Sequence, residues 1–469
     1  MMTISLTMRK LLSSAALMSL LAGCVTSEDA PQASMNLPAT YHDGKAESAG
    51  DVTLRPWWED FRDPRLNSYV NVGRNANLDV LRAIERIEQA RLGVIVAAAD
   101  GFPVVSGNGN LGLKGEEGSL ATSSDTLRTI GAGASTSWLI DLFGQVRSAK
   151  ASANSSLDAA YAGADVAQLA FLSELTAAYI DMRYYQEALA VSRRTLASRR
   201  ATLKLIRSSQ EAGESTRLDV VQAEGLVNST LATLPALEKG FRVSAHRIAT
   251  LLGLPAGSLL KEMEKPNRQP SARFSTKSGI PADLLRNRPD IRRAERELAA
   301  AVANIGVAKA QLYPSLKLNG EITASRIFTS AATGNLSPWS FGPSLSVPIF
   351  NGGRLKANVE IANSAARGQY LAWRGTVLKS IEEVENALVS YRRTQNEVEA
   401  QKRVVRSYQE ALKLARAKYE EGATSVLDVL DAERSLGTAS LAQAAAIRQL
   451  ARDYVDLNTA IGGGYAAGR

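Results

Sequence analysis

The chain has 469 residues, with 55 lysines and arginines against 47 aspartates and glutamates, for a formal net charge of +8. That mild excess, with no Lys/Arg cluster, points away from a nucleic-acid partner. Two histidines, His42 and His246, and one cysteine, Cys24, leave no material for a metal cluster, an internal disulfide or a Cys/His nucleophile. No cofactor or metal is expected, and an enzyme would have to work with carboxylates alone.

At the start, Arg9-Lys10 precedes an apolar run, Leu11 to Leu21, that is too short to remain as a membrane span. The run ends Leu21-Ala22-Gly23-Cys24, which resembles the bacterial lipobox. Residues 1–23 are therefore expected to be a signal peptide, and Cys24 the lipidated residue. Val25 stands where an Asp would signal inner-membrane retention, which favours the outer membrane. Residues 24–55 are polar and contain Pro31, Pro38 and Gly44. They read as an extended strap from the lipid or, equally, as a disordered linker.

Asn77-Leu78-Asp79-Val80 opens a helix running to about Ala99. Arg288-Pro289-Asp290-Ile291 opens another to about Gln311, with Pro289 in the first turn and Asp290 at the positive helix end. Both end at an aromatic-Pro pair, Phe102-Pro103 and Tyr313-Pro314. The hydrophobic period then switches to two. Leu316, Leu318, Ile322 and Ala324 lie on one phase, then Trp339, Phe341, Leu345, Val347 and Ile349. Val105, Leu111, Leu113, Ala132, Ala134, Trp138 and Ile140 do the same more weakly. These are two hairpins of about 10–12-residue strands, the length of a tilted membrane-crossing strand. Gly115 to Arg128 and Thr329 to Leu336 are their small, polar loops. A soluble sandwich is the rival reading, but needs more strands to bury a core.

No proline occurs between Pro103 and Pro235, nor after Pro348. Gln145 to Ser208 and Gly353 to Glu420 read as continuous helices of about 100 Å each at 1.5 Å per residue. Each returns through a shorter helix, Leu218 to Leu252 and Leu427 to Ile461. The turns between them nearly repeat: Gly213-Glu214-Ser215-Thr216-Arg217-Leu218-Asp219 against Gly422-Ala423-Thr424-Ser425-Val426-Leu427-Asp428, continuing to Glu224 and Glu433. Such a long period marks a duplicated half-molecule, beyond the 20–50-residue solenoid units. The first repeat spans 56–264, with leading helices, a β-hairpin at 103–141 and long helices at 145–252. The second spans 265–461, with a leading helix at 289–311, a hairpin at 314–350 and long helices at 353–461. Residues 462–469 read as a flexible tail. The fold class is mainly α with a membrane β-barrel contribution.

Four membrane strands cannot close, because an open edge in lipid strands its backbone polar groups. Two copies would give eight strands and three would give twelve, and counting alone allows either.

Several motifs, in order, resemble the TolC-type outer-membrane efflux proteins, in the lipoprotein branch with OprM, CusC and the NodT-like proteins. They are the lipobox, Pro56-Trp57-Trp58 with Phe61 and Asp63-Pro64, and Arg288-Pro289-Asp290-Ile291 with Ala294-Glu295, Ala308, Ala310 and Tyr313-Pro314-Ser315. Pro348-Ile349-Phe350-Asn351-Gly352-Gly353-Arg354 and the two Leu-Asp-Val turns complete the set. The resemblance implies a homotrimer with a shared 12-stranded barrel and an α-barrel tunnel of long helical hairpins. It implies an outer-membrane lipid anchor, a periplasmic adaptor and an inner-membrane pump, expected to be of the RND type. The hairpin turns become periplasmic tips that contact the adaptor, at Gly213, Glu214, Ser215, Gly422, Ala423 and Thr424. Asp428 and Asp431 become acidic rings at the tunnel entrance, with Tyr419 an aromatic gate residue and Asp219 supporting. Some relatives have an arginine where this chain has Thr424, and Arg217 is the substitute on offer.

Helix capping alone also accounts for Ser215, Ser425, Asp219 and Asp428. The rival functions are an outer component of type I protein secretion, a carboxylate-based glycosidase and a structural coiled-coil lipoprotein. Against the glycosidase, the acids fall at helical spacings that suit solvated faces, as with Glu382, Glu383 and Glu385.

Overall fold

Helix lengths in the first half of the chain recur in the second. The computed structural model describes residues 31–42, 51–115, 126–272, 281–329 and 332–466. The proposed signal peptide and Cys24 lie outside them. Helices α1 (Pro64–Ala76) and α2 (Leu78–Ala99) precede strands β1 (Val104–Lys114) and β2 (Leu127–Ile140). Then come α3 (Gln145–Glu211), α4 (Arg217–Leu251) and the short α5 (Leu260–Met263) and α6 (Pro281–Asn287). The second half runs α7 (Pro289–Ala310), β3 (Ser315–Phe328), β4 (Thr333–Leu336), β5 (Trp339–Ser346), α8 (Arg354–Glu420) and α9 (Val426–Ala460). Helices α2 and α7 have 22 residues each, α3 and α8 have 67, and α4 and α9 have 35. The chain divides into two compact units, one holding 86–160 and 293–374, the other 35–85, 161–292 and 375–469.

The first unit contains the sheet. Its strands are antiparallel in the order β1-β2-β3, with β4 and β5 both paired to β3. Ser325 pairs with Leu336 in β4 and Ile322 with Trp339 in β5, so both follow one register. Between them Thr323 N–H donates to Pro338 O at 3.0 Å. β4 and β5 are thus two parts of one strand, and four strands cross the sheet. The break falls where Pro338 cannot return its ladder bond, which an outer strand tolerates. The expected loop 329–336 is accordingly too long: its second half continues the β5 register into the ladder.

The register brings the apolar phases of all four strands onto one face. Along Leu127–Ala134 exposed and half-buried residues alternate strictly, and the exposed ones are Arg128, Ile130, Ala132 and Ala134. On that face Leu111 is 75% exposed, Ile322 56% and Trp339 76%. A soluble sheet buries such residues. Here the contiguous apolar face is left exposed.

At one end of this sheet every strand meets a helix. Phe143, after β2, stacks on Tyr313, before β3, with centroids 4.8 Å apart and planes at 12°. Trp138 Nε1 donates to Gly101 O at 2.8 Å.

The second unit packs around aromatic residues and buried charge. Trp57, Phe61 and Tyr391 all approach the Tyr454 ring, Phe61 at 5.2 Å. Arg183, fully buried, lies 3.8 Å from Asp63 and donates to the Tyr179 hydroxyl. Burial, and then the hydrogen bond to Asp63, push the Tyr179 hydroxyl well above the usual phenol range.

The duplication extends to single hydrogen bonds. Asn77, just before α2, donates its Nδ2 to the carbonyl of Leu251, the last residue of α4, at 2.9 Å. Arg288, just before α7, donates to the carbonyl of Ala460, the last residue of α9, at 3.0 Å. Both satisfy a helix-end carbonyl that the helix itself leaves unpaired. Arg288 also grips Asp290 (2.7 Å) and Glu383 (2.6 Å). Burial alone would lower its pKa, but those carboxylates more than offset it and hold the guanidinium charged. Glu383 and Glu385 are therefore engaged rather than merely solvated: Glu385 accepts from the His42 backbone N–H at 2.7 Å, beside the buried Tyr41.

The flexible-tail expectation is corrected for residues 462–466. Gly462 to Tyr465 are buried, Gly463 O accepts from Trp57 Nε1 at 3.0 Å, and Arg292 donates to the Tyr465 hydroxyl at 3.0 Å. A Cβ on Gly464 would lie 2.6 Å from Trp57 Nε1. The glycines let the chain pass under the tryptophan, so close packing overrides the local tendency to fray.

Candidate gate and hairpin turns

The two candidate tips are the α3–α4 and α8–α9 turns, both in the second unit. Gly213 and Gly422 have φ of +81° and +70°, the left-handed conformation that ends a helix at glycine. Glu214 N–H donates back to Ser209 O and Ala423 N–H to Lys418 O, both at 2.8 Å. These are the same bond at equivalent places, and both close the six-residue return that satisfies a terminal carbonyl. Gly213, Glu214, Gly422 and Ala423 are exposed, while Ser215 and Thr424 are half-buried.

The next helices are capped differently. Thr216, not Ser215, is the N-cap of α4, and it forms a reciprocal capping box with Asp219. Thr216 N–H reaches Asp219 Oδ2 at 2.8 Å and Asp219 N–H reaches Thr216 Oγ1 at 3.3 Å. Ser425 is the N-cap of α9 but makes no side-chain capping bond, and the Thr424 hydroxyl instead donates to Asp428. Asp431 forms an ion pair with Arg434, one turn further along. Each of the three carboxylates thus has a partner inside its own chain. Arg434 escaped the sequence reading, although its three-residue spacing from Asp431 is a regular helix-pair signal. Arg217 is exposed and makes no ion pair with Asp428 or Asp431 within the chain. Tyr419 is half-buried, packed between the cluster containing Leu203, Val220 and Leu430 and that containing Leu412, Val429 and Ala432.

One constellation went unread. Glu433 is 3% exposed and pairs with Arg416 at 2.6 Å, while Thr202 and Ser198 hydroxyls from α3 donate to the same oxygen at 2.8 and 3.0 Å. Its repeat partner Glu224 pairs with Arg207 at 2.7 Å, and that hydrogen bond lowers the Glu224 pKa. Each hairpin therefore carries an equivalent Arg–Glu pair near its turn, between its outgoing and returning helices. Of these two pairs only the second has a buried carboxylate, and that carboxylate is tied to α3, so it links both hairpins. Glutamate at both ends of the repeated motif was the available signal.

A model of the outer membrane efflux protein family matches residues 71–254 and again 280–463. The chain belongs to that family. The two matches fall on its two halves. Over 447 residues it is 48% identical to "Nodulation protein T" of Rhizobium leguminosarum bv. trifolii, covering 95% of this chain and 96% of that one. It is 32% identical to "Pyoverdine export outer membrane protein OpmQ" of Pseudomonas putida, covering 92% of each. The solved structure of the outer-membrane channel OprN superimposes with a TM-score of 0.83 at 31% identity, covering 94% of this chain and all of that one.

Proposed function

We propose that three copies of this chain close a 12-stranded barrel through the outer membrane. The barrel continues as a periplasmic tunnel of helical hairpins that passively conducts substrates out of the cell. An inner-membrane pump of the RND type and a periplasmic adaptor deliver the cargo, and Cys24 carries the lipid anchor. The observation that carries this reading is the sheet: its apolar face is exposed, and β1 and β4–β5 are edges unpaired among the described residues. In lipid those edges must pair with other copies. The test combines two measurements on detergent-extracted protein. Its mass is expected to be that of three chains, and in planar bilayers it is expected to open discrete ion-conducting channels. A monomer or dimer as the sole stable species would remove the shared barrel, and a silent bilayer would remove the channel.

Lipidation has its own check. Cys24→Ser is expected to lose all radiolabelled acyl chain. Label that stays on the variant would refute the anchor.

At the entrance, Asp428, Asp431 and Arg434 together carry one net negative charge per chain, so threefold repetition builds a weakly acidic ring that attracts cations. Tyr419 packs beside it and Asp219 and Arg217 flank it. Exchanging both Asp428→Ala and Asp431→Ala leaves Arg434 unopposed and turns the net charge of that set from negative to positive. Cation selectivity in bilayers is expected to fall and to approach anion preference. Selectivity equal to the parent's would reduce these carboxylates to helix-start chemistry.

A further inference from the structure

The outward face of the sheet carries a charged pair that the channel reading does not use. Among the described strand residues on that face, all but two are uncharged, and both exceptions are arginines: Arg128 on β2 and Arg326 on β3. They are diagonal neighbours. Arg128 lies opposite Phe328, two positions beyond Arg326 on the same strand. Diagonal residues on one sheet face stand about 7–8 Å apart, within reach of two arginine side chains aimed at one group. The Arg326 side chain reaches toward the position opposite Arg128. The Arg326 guanidinium carbon lies 5.5 Å from the centre of the Phe328 ring, the residue directly across from Arg128. Both arginines are exposed, and neither has an ion-pair partner among the described residues. Asn335, opposite Arg326, adds an uncharged polar group beside them.

Their height on the sheet is also fixed. Helices join the strands at one end, and the arginines lie at the other, next to the hairpin connections. Trp138 lies ten positions after Arg128 on β2, and its indole N–H is tied to Gly101 O near the helix end. At about 3.3 Å per residue and the usual tilt, that stretch rises about 25 Å, the height of the apolar band of a membrane barrel. Trp138 then marks one interface and the arginine pair the other, at the level of the outer-leaflet headgroups.

We infer that Arg128 and Arg326 form a binding site for the phosphate of a phosphorylated lipid headgroup in the outer leaflet. This rests on the membrane-sheet reading above. Two guanidinium groups this close, without an ion-pair partner among the described residues, repel each other, and a shared phosphate converts that repulsion into charge-assisted, fork-shaped hydrogen bonding. Phe328 holds one guanidinium by its ring face and leaves its donors free. The lack of any acidic residue on the same strand face excludes cations and favours an anion. The apolar face just below suits the acyl chains of that same molecule.

The test uses the full protein in detergent, with bisphosphorylated lipid A and its fully dephosphorylated form as probes and native mass spectrometry to count bound lipid. The parent is expected to retain the phosphorylated form preferentially. Each arginine contributes on the order of tenfold in apparent affinity, so Arg128→Gln with Arg326→Gln is expected to erase the preference. Arg326→Lys keeps the charge without the fork and is expected to fall between. Equal retention of the two lipids by the parent overturns the site, whatever the variants do. Retention by the double variant that matches the parent overturns it as well. Displacement of the lipid by inorganic phosphate at comparable concentration would make this a free-anion site and overturn the lipid assignment. Failure of the parent to insert into lipid vesicles would overturn the membrane sheet itself, a separate outcome from poor lipid discrimination by an inserted protein.

Discussion

Arg288→Ala is expected to lower the unfolding free energy by about 3–5 kcal/mol, the cost of removing one partner from a buried charge cluster. Three groups lose their donor at once: the Ala460 carbonyl at the end of α9, the Asp290 carboxylate and the Glu383 carboxylate. Asn77 occupies the equivalent place in the first half and reaches the equivalent carbonyl, but it carries no charge. Asn77→Ala is expected to cost about 1–2 kcal/mol, as for a lost helix cap. Arg288→Lys keeps the charge without the fork that serves three acceptors, and is expected to fall between. Denaturant midpoints of the detergent-solubilised protein, followed by helical circular dichroism, check the order. Equal shifts for Asn77→Ala and Arg288→Ala would mean that only the carbonyl contact matters and that the charge cluster contributes little.

Replacing Gly213→Val and Gly422→Val together is expected to reduce export to that of cells lacking the protein, with trimers still forming. Nothing lies within 4 Å of a Cβ built on either glycine, so a side chain there has room within its own chain. What it meets is backbone strain of about 1–2 kcal/mol per site, from a positive φ that valine disfavours, and whatever docks on the turn. Gly→Asn at both positions separates the two. Asparagine tolerates the left-handed conformation but still adds bulk to the surface. Export lost with both substitutions indicates a contact surface for the adaptor, and export lost only with valine indicates the turn itself. Lower protein levels would mark the strain, and undiminished export in both variants would sink the adaptor contact.

Helices and their ends were largely legible because helix length is written in local chemistry. Pro289, the aromatic-Pro pairs and the two turn glycines bracket the elements within a few residues. The duplication was legible because whole motifs recur. Strand faces were legible because the period of two is strict on β3 and β5, but the continuation of β5 through Ser337-Pro338 into β4 was not, since a proline in sequence ends a strand more often than it interrupts one. Tertiary pairings stayed hidden. Asp63 and Arg183 are 120 positions apart in the sequence, and nothing local to either announces the other. Gly462-Gly463-Gly464 read as a frayed end because the groove beneath Trp57 that holds it is made by residues about 400 positions earlier. At the candidate gate, residue types located the turns but not their hydrogen bonding. Ser215 looked like the cap that Thr216 provides, and the Asp431–Arg434 pair went unread.

The break in the outer strand bears on how the protein stays soluble before it reaches the membrane. Thr323 bonds to Pro338 O, so residue 338 faces β3 and every second residue from 339 faces the open edge instead. Of those, Trp339, Phe341 and Leu345 offer an N–H, but Pro343 cannot. The exposed ladder therefore has a blank rung in the middle of its length. A foreign strand, or a second copy of the same strand, that lies along it leaves a carbonyl unanswered at that rung. Stray pairing during transit is penalised there. A single proline, Pro343, thus discourages runaway edge-to-edge aggregation of this strand.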